Sequence, residues 1–407
     1  MIELRGRSSI GEMEELLERI VSSPSDADML VSNSLKGRTF AATAAYMQLL
    51  VTWARSCPEG RLRVHVREDA DGDRARTTLG RALKSDHLML AASLAGDVRA
   101  RRGERELGGI AAPILEDRFL AMNSVGALLE KGDKAFAMCL DDSPIPFPKV
   151  LYRDPPTRPQ RGRGAELLGL GGFQNLAGGI QDKFNEGIGG GASFAGSGSL
   201  STAIFELFKN TDEWARSDQH DLPYPRSSSV RGIRVERRNV DAEMEEAEDQ
   251  PALRDFFAHE SLRSPDGRRR LVELTVFDSG PGVPSRRLLA RHPEGAKADV
   301  GEEFLALRDC LRKHVTTSKK DPRGTGLHRV LQDLTDLNAF LWLRSGRLSL
   351  YRDFLAMPYR PEDGSRDEPF LLDWRAGLGG ITELAPAAGS FFTALLPIAH
   401  DPRQTSF

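Results

Sequence analysis

One eleven-residue stretch, Phe205 to Ala215, most constrains the fold because its apolar and polar residues separate onto two faces of a helix. The apolar face recurs at three- and four-residue steps and predicts a buried stripe: Ile204, Leu207, Phe208, Thr211 and Ala215. Glu206, Asn210 and Glu213 share the opposite face. An amide oxygen can bind Mg²⁺ and a carboxylate one turn away can polarise water, yet this stretch alone favours a solvated polar face.

Two later stretches change that interpretation. An apolar strand from Val276 leads into Asp278-Ser279-Gly280-Pro281-Gly282, an Asp-x-Gly-x-Gly sequence, and Gly324-Thr325-Gly326-Leu327 opens a further helix. Glycines let a backbone approach a ligand closely, and the free N–H groups at a helix start favour a phosphate. Each motif is weak by itself, but their order along the chain is informative.

The ordered triple resembles the nucleotide site of the GHKL ATPases, the superfamily of DNA gyrase, mismatch-repair ATPases, a heat-shock chaperone and the histidine kinases. The resemblance covers about Leu200 to Ile398 and says little about the first half of the chain. It implies an α/β sandwich in the C-terminal half, with helices on one face of a mixed sheet. It also implies ATP and Mg²⁺ as cofactors.

The resemblance assigns roles to the residues of the motifs. Asp278 would accept a hydrogen bond from the adenine amino group, since guanine carries a carbonyl at that position. Gly280 and Gly282 would let the backbone approach the base and ribose. Asn210 would hold Mg²⁺, and Glu206 would orient and deprotonate the attacking water.

The remaining expected contacts lie toward the end of the chain. The segment from about 285 to 326 would be a lid, mobile without ligand because it has many charges and few large apolar residues. The expected phosphate and base contacts in and beyond this lid are Lys319, Lys320, Gly324, Thr325, Gly326, Leu327 and Ser390. Ser390 stands in Gly-Ser where the family usually has Gly-Thr.

The first half predicts a separate unit. Residues 1–150 read as a small α/β domain with β-α-β organisation, in which His87–Ala91 and Ala135–Leu140 are expected strands. The most apolar stretch of the chain is Ala41 to Ala54, but Gln48 and Thr52 interrupt it. It therefore predicts a buried helix and not a membrane span. Residues 151–164 are rich in Pro, Arg and Gly and predict a linker, so that residues 165–407 form the ATP-binding domain.

Composition limits the class of protein. The 407 residues carry a formal net charge of −3, so charge does not indicate nucleic acid as a partner. The three cysteines show no metal-binding spacing and fit a reducing cytoplasm. No signal peptide and no apolar run of about 20 residues is present, so no membrane is expected as a partner.

The sequence therefore predicts a cytoplasmic Mg²⁺-dependent ATP-binding protein, a slow ATP hydrolase that uses lid closure as a conformational switch. A protein partner, or the second subunit of a homodimer, would respond to this conformational change. Two alternatives stay open: a serine/threonine protein kinase of the anti-sigma type that uses the same Glu206, and a non-hydrolysing ATP-sensing interaction module. No second, lysine-supplying domain of the gyrase kind is expected after the last strand.

Overall fold

The computed structural model describes residues 1–4, 9–23, 28–33, 39–129, 134–141, 143, 145–154, 165–185, 192–194, 197–224, 229–239, 250–263, 269–292, 298–312, 326–360 and 371–400. Helices and strands alternate in the first third of the chain: β1 (Ile2–Leu4), α1 (Ile10–Ser22), β2 (Met29–Val31), α2 (Ala42–Ser56), β3 (Leu62–Val64), α3 (Gly72–Ala82), α4 (Asp86–Leu94), β4 (Val98–Ala100), α5 (Gly108–Leu120) and α6 (Val125–Leu128), with a 3₁₀ turn at Ala121–Asn123.

The first four strands form a parallel sheet in chain order. Ile2 pairs with Met29, Met29 with Leu62, and Leu62 with Val98. Parallel neighbours need crossover connections, which the intervening helices supply. The expected α/β organisation of the N-terminal part is confirmed.

One expected strand of this part is wrong. His87–Ala91 lies inside helix α4, and the fourth strand is Val98–Ala100. The run Leu88–Ala92 is apolar without alternation, a pattern that does not distinguish a buried helix from a buried strand. In the structure α4 is buried on nearly every side, so its apolar residues show no single stripe.

The chain from residue 134 onward contains ten strands and six helices in the described ranges. They are β5 (Lys134–Leu140), β6 (Tyr152–Arg153), β7 (Glu166–Leu167), α7 (Leu170–Asn185), β8 (Ala192–Phe194), α8 (Ser197–Trp214), β9 (Val230–Asn239), α9 (Pro251–Ala258), β10 (Arg270–Asp278), α10 (Ser285–Arg291), α11 (Val300–Leu311), α12 (Gly326–Asp336), β11 (Phe340–Gly346), β12 (Leu348–Asp353), β13 (Leu372–Asp373) and β14 (Ala387–His400), with a 3₁₀ turn at Glu260–Leu262. None of the helices in the described ranges has the length and apolar character needed to span a membrane.

Eight of these strands form the second sheet, in the order β13-β12-β11-β14-β10-β9-β5, with β8 paired to the end of β14. Every pairing between its described strands is antiparallel. The expectation of a mixed sheet is therefore wrong for these strands. Hairpins such as β11–β12 produce antiparallel neighbours, whereas parallel ones need longer crossovers.

Strand β5 belongs to this second sheet, where Ala137 pairs with Ile233 of β9. The sequence grouped residues 134–140 with the N-terminal part, up to about residue 150. Sheet membership thus changes before residue 134. Among the described residues between β5 and α7, the short β6–β7 pair supplies the secondary structure. The expected linker residues 155–164 lie outside the described residues.

The antiparallel sheet carries helices on both faces, not on one. Side chains alternate along a strand, so Arg231 and Arg234 of β9 point to opposite faces. Arg231 pairs with Asp212 of α8 at 3.3 Å, whereas Arg234 pairs with Asp86 of α4 at 3.1 Å. Helix α8 therefore lies on one face, and the N-terminal part covers the other.

Helix α2 forms the centre of this second contact. All residues from Ala42 to Trp53 are buried, as the apolar run predicts. The two polar residues that interrupt its apolar run, Gln48 and Thr52, form hydrogen bonds to the sheet. The Gln48 amide donates to the carbonyl oxygens of Arg344 and Ala388, both at 3.4 Å, and the Thr52 hydroxyl accepts from Ala388 N–H at 3.0 Å.

A buried ionic cluster joins α4, β5, β9 and β10 at the same interface. Its members are Asp86, Lys134, Arg234, Glu236, Arg238 and Glu273. Glu273 is fully buried; its Oε2 accepts from Arg238 Nη2 at 2.8 Å and from Ala41 N–H at 3.2 Å. Three negative and three positive side chains leave the cluster balanced, as burial requires.

Replacing Glu273→Ala should destabilise the fold by about 3–5 kcal/mol, because Arg234 and Arg238 would stay buried with an excess of positive charge. Chemical denaturation of both proteins measures the difference. Glu166→Ala is the matched control, since Glu166 pairs with Arg153 on the exposed surface and such pairs contribute little. Equal loss of stability in both variants would contradict the buried cluster as a structural requirement.

Candidate functional site

The Asp-x-Gly-x-Gly sequence begins at the last residue of β10, where Asp278 is buried. Its Oδ1 accepts hydrogen bonds from Gly280 N–H at 2.7 Å and from Ser390 N–H at 3.2 Å. Among the described residues no hydrogen bond reaches Oδ2. The backbone therefore fixes the orientation of the carboxyl group through one oxygen and leaves the other as an acceptor for a ligand.

Burial raises the pKa of Asp278 from 3.8 to about 6, against the two backbone hydrogen bonds and the charges of Arg55 and Arg231, which lower it. The carboxyl group is thus ionised at neutral pH but sensitive to mild acid. A perturbed carboxyl with one open oxygen is a pattern associated with functional sites.

The glycines of the loop are needed for its own packing. A Cβ at Gly280 would lie 2.8 Å from Ala215, the residue after α8, so the loop and the end of that helix are in close contact. Gly282 has a φ of +92°, which other residues rarely adopt. Gly280 therefore lets the loop close against the end of α8, and Gly282 lets it turn. The close approach of a ligand to these glycines stays a prediction.

Ser390 contacts Asp278 through its backbone and not through its hydroxyl. The Oγ accepts from Val283 N–H at 3.1 Å and lies 3.0 Å from the Oγ of Ser345. These contacts fix the backbone just after Gly282. The hydroxyl thus holds the loop, while the Ser390 N–H orients the carboxyl group.

The first and third motifs meet at the middle of α8, about two turns before its C-terminal end. A Cβ at Gly326, the first residue of α12, would lie 2.7 Å from Glu206 Oε2 and 3.6 Å from Asn210 Nδ2. A larger residue at this position would displace the Glu206 carboxylate. The two polar side chains of α8 therefore lie at the N-terminus of α12, whose free N–H groups favour negative charge.

The orientation of Asn210 suits a metal ligand. Its Nδ2 donates to the carbonyl oxygen of Glu206 at 2.7 Å, so the amide oxygen remains an acceptor. No group of three or more His, Cys, Asp or Glu side chains in the described ranges could hold a metal. One amide oxygen fits Mg²⁺ that is bound mainly by phosphates and water.

The other expected contacts are only partly described. Leu327 is half-buried and packs against the core, while Lys319, Lys320, Gly324 and Thr325 lie outside the described residues. Helix α11, in the middle of the expected lid, is held to the sheet because Glu303 accepts from Arg347 N–H at 2.8 Å and from its Nε at 2.7 Å. The expected mobility of the lid without ligand stays a prediction.

Two residues beside the site were missed in the sequence. Arg55 Nη1, at the end of α2, donates to the carbonyl oxygen of Gly280 at 3.1 Å, across 225 positions of sequence. Its guanidinium lies 3.7 Å from the centre of the Tyr224 ring. No motif contains either residue, and only the packing of α2 on the sheet brings them here.

Comparison with family models, with curated proteins and with solved structures found no match to this chain. The assignment of the site therefore rests on its geometry and on the three motifs.

The raised pKa of Asp278 predicts a pH-dependent cost in stability. The folded protein keeps a proton between about pH 4 and pH 6 that the unfolded chain has lost, so this carboxyl destabilises the fold increasingly as pH rises through that window. Asp278→Asn keeps the Oδ1 acceptor without the charge. It should be more stable than the wild type at pH 7, by roughly 2–3 kcal/mol, with the difference vanishing near pH 4.

Urea denaturation of both proteins from pH 4 to pH 7 checks this expectation. Titrations of all other groups are shared and cancel in the difference. A stability difference that stays constant across the series would contradict the raised pKa of Asp278.

Proposed function

We propose that the chain is a GHKL-type, Mg²⁺-dependent ATP-binding protein that hydrolyses ATP slowly and uses the state of its nucleotide site as a conformational switch. The observation that supports it best is the contact of Gly326 with Glu206 and Asn210. It brings two motifs more than 100 positions apart in sequence into one place, with a third motif at the far end of the same helix.

The distance between the two ends of the candidate site suits a nucleotide. Ala215, which contacts Gly280 at one end, is nine residues after Glu206, which contacts Gly326 at the other. Nine residues correspond to about 13 Å of helix. An extended nucleoside triphosphate bridges such a span. In this arrangement the base would lie at Asp278 and the terminal phosphate at the start of α12.

At the base end, Asp278 Oδ2 would accept a hydrogen bond from the 6-amino group of adenine. Guanine presents a carbonyl oxygen there, and two acceptors facing each other in a buried place repel. The backbone donors from Gly280 and Ser390 hold the carboxyl group before the ligand arrives, so little ordering is needed on binding.

At the phosphate end, the N-terminus of α12 would bind phosphate oxygens through its free N–H groups and its dipole. Asn210 Oδ1 would hold Mg²⁺, which neutralises phosphate charge when bound. Glu206 would orient the attacking water and accept its proton. In the proposal Lys319, Lys320, Gly324 and Thr325 belong to the lid over these phosphates and Leu327 follows them.

The output of the switch is part of the proposal. A protein partner, or a second copy of the chain, would recognise the ATP-bound form, and the location would be the cytoplasm. The N-terminal part packs directly on the sheet that carries the site, through α2. It is therefore the part of the described structure best placed to respond to the nucleotide.

The first prediction from this proposal concerns the base. The wild type should bind ATP and not GTP, and Asp278→Asn or Asp278→Ala should weaken ATP binding while leaving the fold intact. Loss of a hydrogen bond to a charged group corresponds to about 10- to 150-fold in affinity. Calorimetry with both nucleotides measures it; equal affinity of the wild type for ATP and GTP would refute the role of Asp278.

The second prediction separates binding from chemistry on α8. Asn210→Ala should weaken binding of Mg·ATP, because the metal loses its protein ligand. Glu206→Gln should bind Mg·ATP with near wild-type affinity and hydrolyse it about 10²- to 10⁴-fold more slowly, since a general base is lost. Equilibrium binding and phosphate release are measured on the same preparations.

Glu213→Gln is the matched control, because Glu213 is an exposed carboxylate of the same helix that lies near Lys209. It should leave both binding and hydrolysis unchanged. Wild-type turnover in Glu206→Gln would show that Glu206 belongs only to a polar surface. With γ-labelled ATP and cell lysate, free phosphate supports a hydrolase, whereas label on another protein would assign a kinase.

A further inference from the structure

The loop that follows Asp278, residues 279–282, contacts both its own sheet and the N-terminal part. The carbonyl oxygen of Gly280 accepts from Gly389 N–H of β14 at 2.8 Å and from Arg55 Nη1 of α2 at 3.1 Å. The second donor comes from a different layer of the molecule. Helix α2 thus contacts the loop that carries the candidate base acceptor.

Tyr224 fixes the position of the Arg55 side chain. The guanidinium lies 3.7 Å from the centre of the tyrosine ring, close contact for a cation over an aromatic face. Both side chains are half-buried. An arginine stacked on a ring and bonded to a carbonyl has little rotational freedom, so its charge has a defined place beside the loop.

The charged surroundings of Asp278 come from three elements. Arg55 of α2 and Arg231 of β9 favour its ionised form, whereas Tyr224, after α8, adds no positive charge. Arg231 is already offset by Asp141 at 2.6 Å and Asp212 at 3.3 Å. Arg55 is therefore the cation whose removal should most affect the carboxyl group, although Asp218 also lies within its electrostatic reach.

We propose that Arg55 is a positioning residue for base recognition, contributed by the N-terminal part, which holds the Gly280 carbonyl and places a positive charge beside the loop that carries Asp278. This inference rests on the proposed function, since it concerns the same adenine acceptor. It makes the N-terminal part a component of the nucleotide site. Any movement of α2 would then alter affinity for the base.

The test compares Arg55→Met, Arg55→Lys and the wild type in calorimetric binding of ATP from pH 5 to pH 8. Arg55→Met removes the donor and the charge, so ATP affinity at pH 7 should fall about tenfold. The pH at which binding is half lost on acidification should move upward, because Asp278 would protonate more readily. Titration of the ATP phosphates is common to all proteins and cancels in the comparison.

Arg55→Lys keeps a positive charge without the planar fork. It should restore the wild-type pH midpoint while affinity recovers only in part. Arg61→Met, an arginine of the same part that pairs with Glu104 at the surface, is the matched control and should bind ATP as the wild type does. Thermal unfolding of each variant verifies that it is folded.

The outcomes separate this inference from the proposed function. A wild type that binds no ATP at any pH refutes the function itself. A wild type that binds ATP, together with an Arg55→Met variant of unchanged affinity and midpoint, refutes only the role of Arg55. Lower affinity in both Arg55 variants with an unchanged midpoint would also refute it, since that result shows a purely structural contact.

Discussion

Burial of α2 between the N-terminal helices and the antiparallel sheet is the constraint on which the rest of the structure depends. A helix that is apolar on all sides is stable only when other elements cover all of it, and here the N-terminal layer and the antiparallel sheet do so together. The polar atoms of Gln48 and Thr52 then need partners inside that interface, and strands β11 and β14 supply them. Covering α2 therefore also fixes its register on the sheet, which places Arg55 at the Gly280 loop.

Helix α8 plays the corresponding part on the opposite face. Its apolar stripe packs on the sheet, which leaves Glu206 and Asn210 directed at the start of α12. At its far end Ala215 limits the loop after Asp278 to glycine at position 280. One rigid helix thus sets the distance between the two ends of the candidate site, and rigid elements position chemical groups better than loops do.

The sequence predicted those features that depend on local pattern. The amphipathic stripe of α8, the buried run of α2 and the strand that ends at Asp278 each have a periodicity visible in a short window. It was wrong where long-range packing decides. Leu88–Ala92 is apolar in any conformation, and only the surrounding helices make α4 the stable choice. The antiparallel sheet, the placement of β5 in it and the second layer of helices depend on which strands meet.

The same distinction holds for the site. The motif residues could be proposed from the sequence because each lies in a short pattern. The contact of Arg55 with Gly280 spans 225 positions, and no short sequence pattern predicts it. The resemblance predicts a ligand contact for the hydroxyl of Ser390, and that contact stays a prediction. The sequence did not predict its bonds to Val283 and Ser345, which depend on the spatial order of β14 and β11.

A second buried aspartate shows how a carboxylate with a structural role is bonded in this protein. Asp373 is also at the end of a strand and almost fully buried. Its Oδ1 accepts from Arg375 N–H, Ala376 N–H and the Thr382 hydroxyl, and its Oδ2 accepts from Thr382 N–H. Both oxygens are used, as expected for a carboxylate that holds a turn.

Asp278 holds its own loop through Oδ1 in a similar way, but none of the described residues donates to its Oδ2. Burial has raised its pKa to about 6, so the folded protein carries an ionised group that its surroundings only partly stabilise. An asparagine would make the same two backbone hydrogen bonds without that cost. The proposed function accounts for a carboxylate here, because a ligand that donates a hydrogen bond to Oδ2 would complete the arrangement that Asp373 achieves within the protein alone.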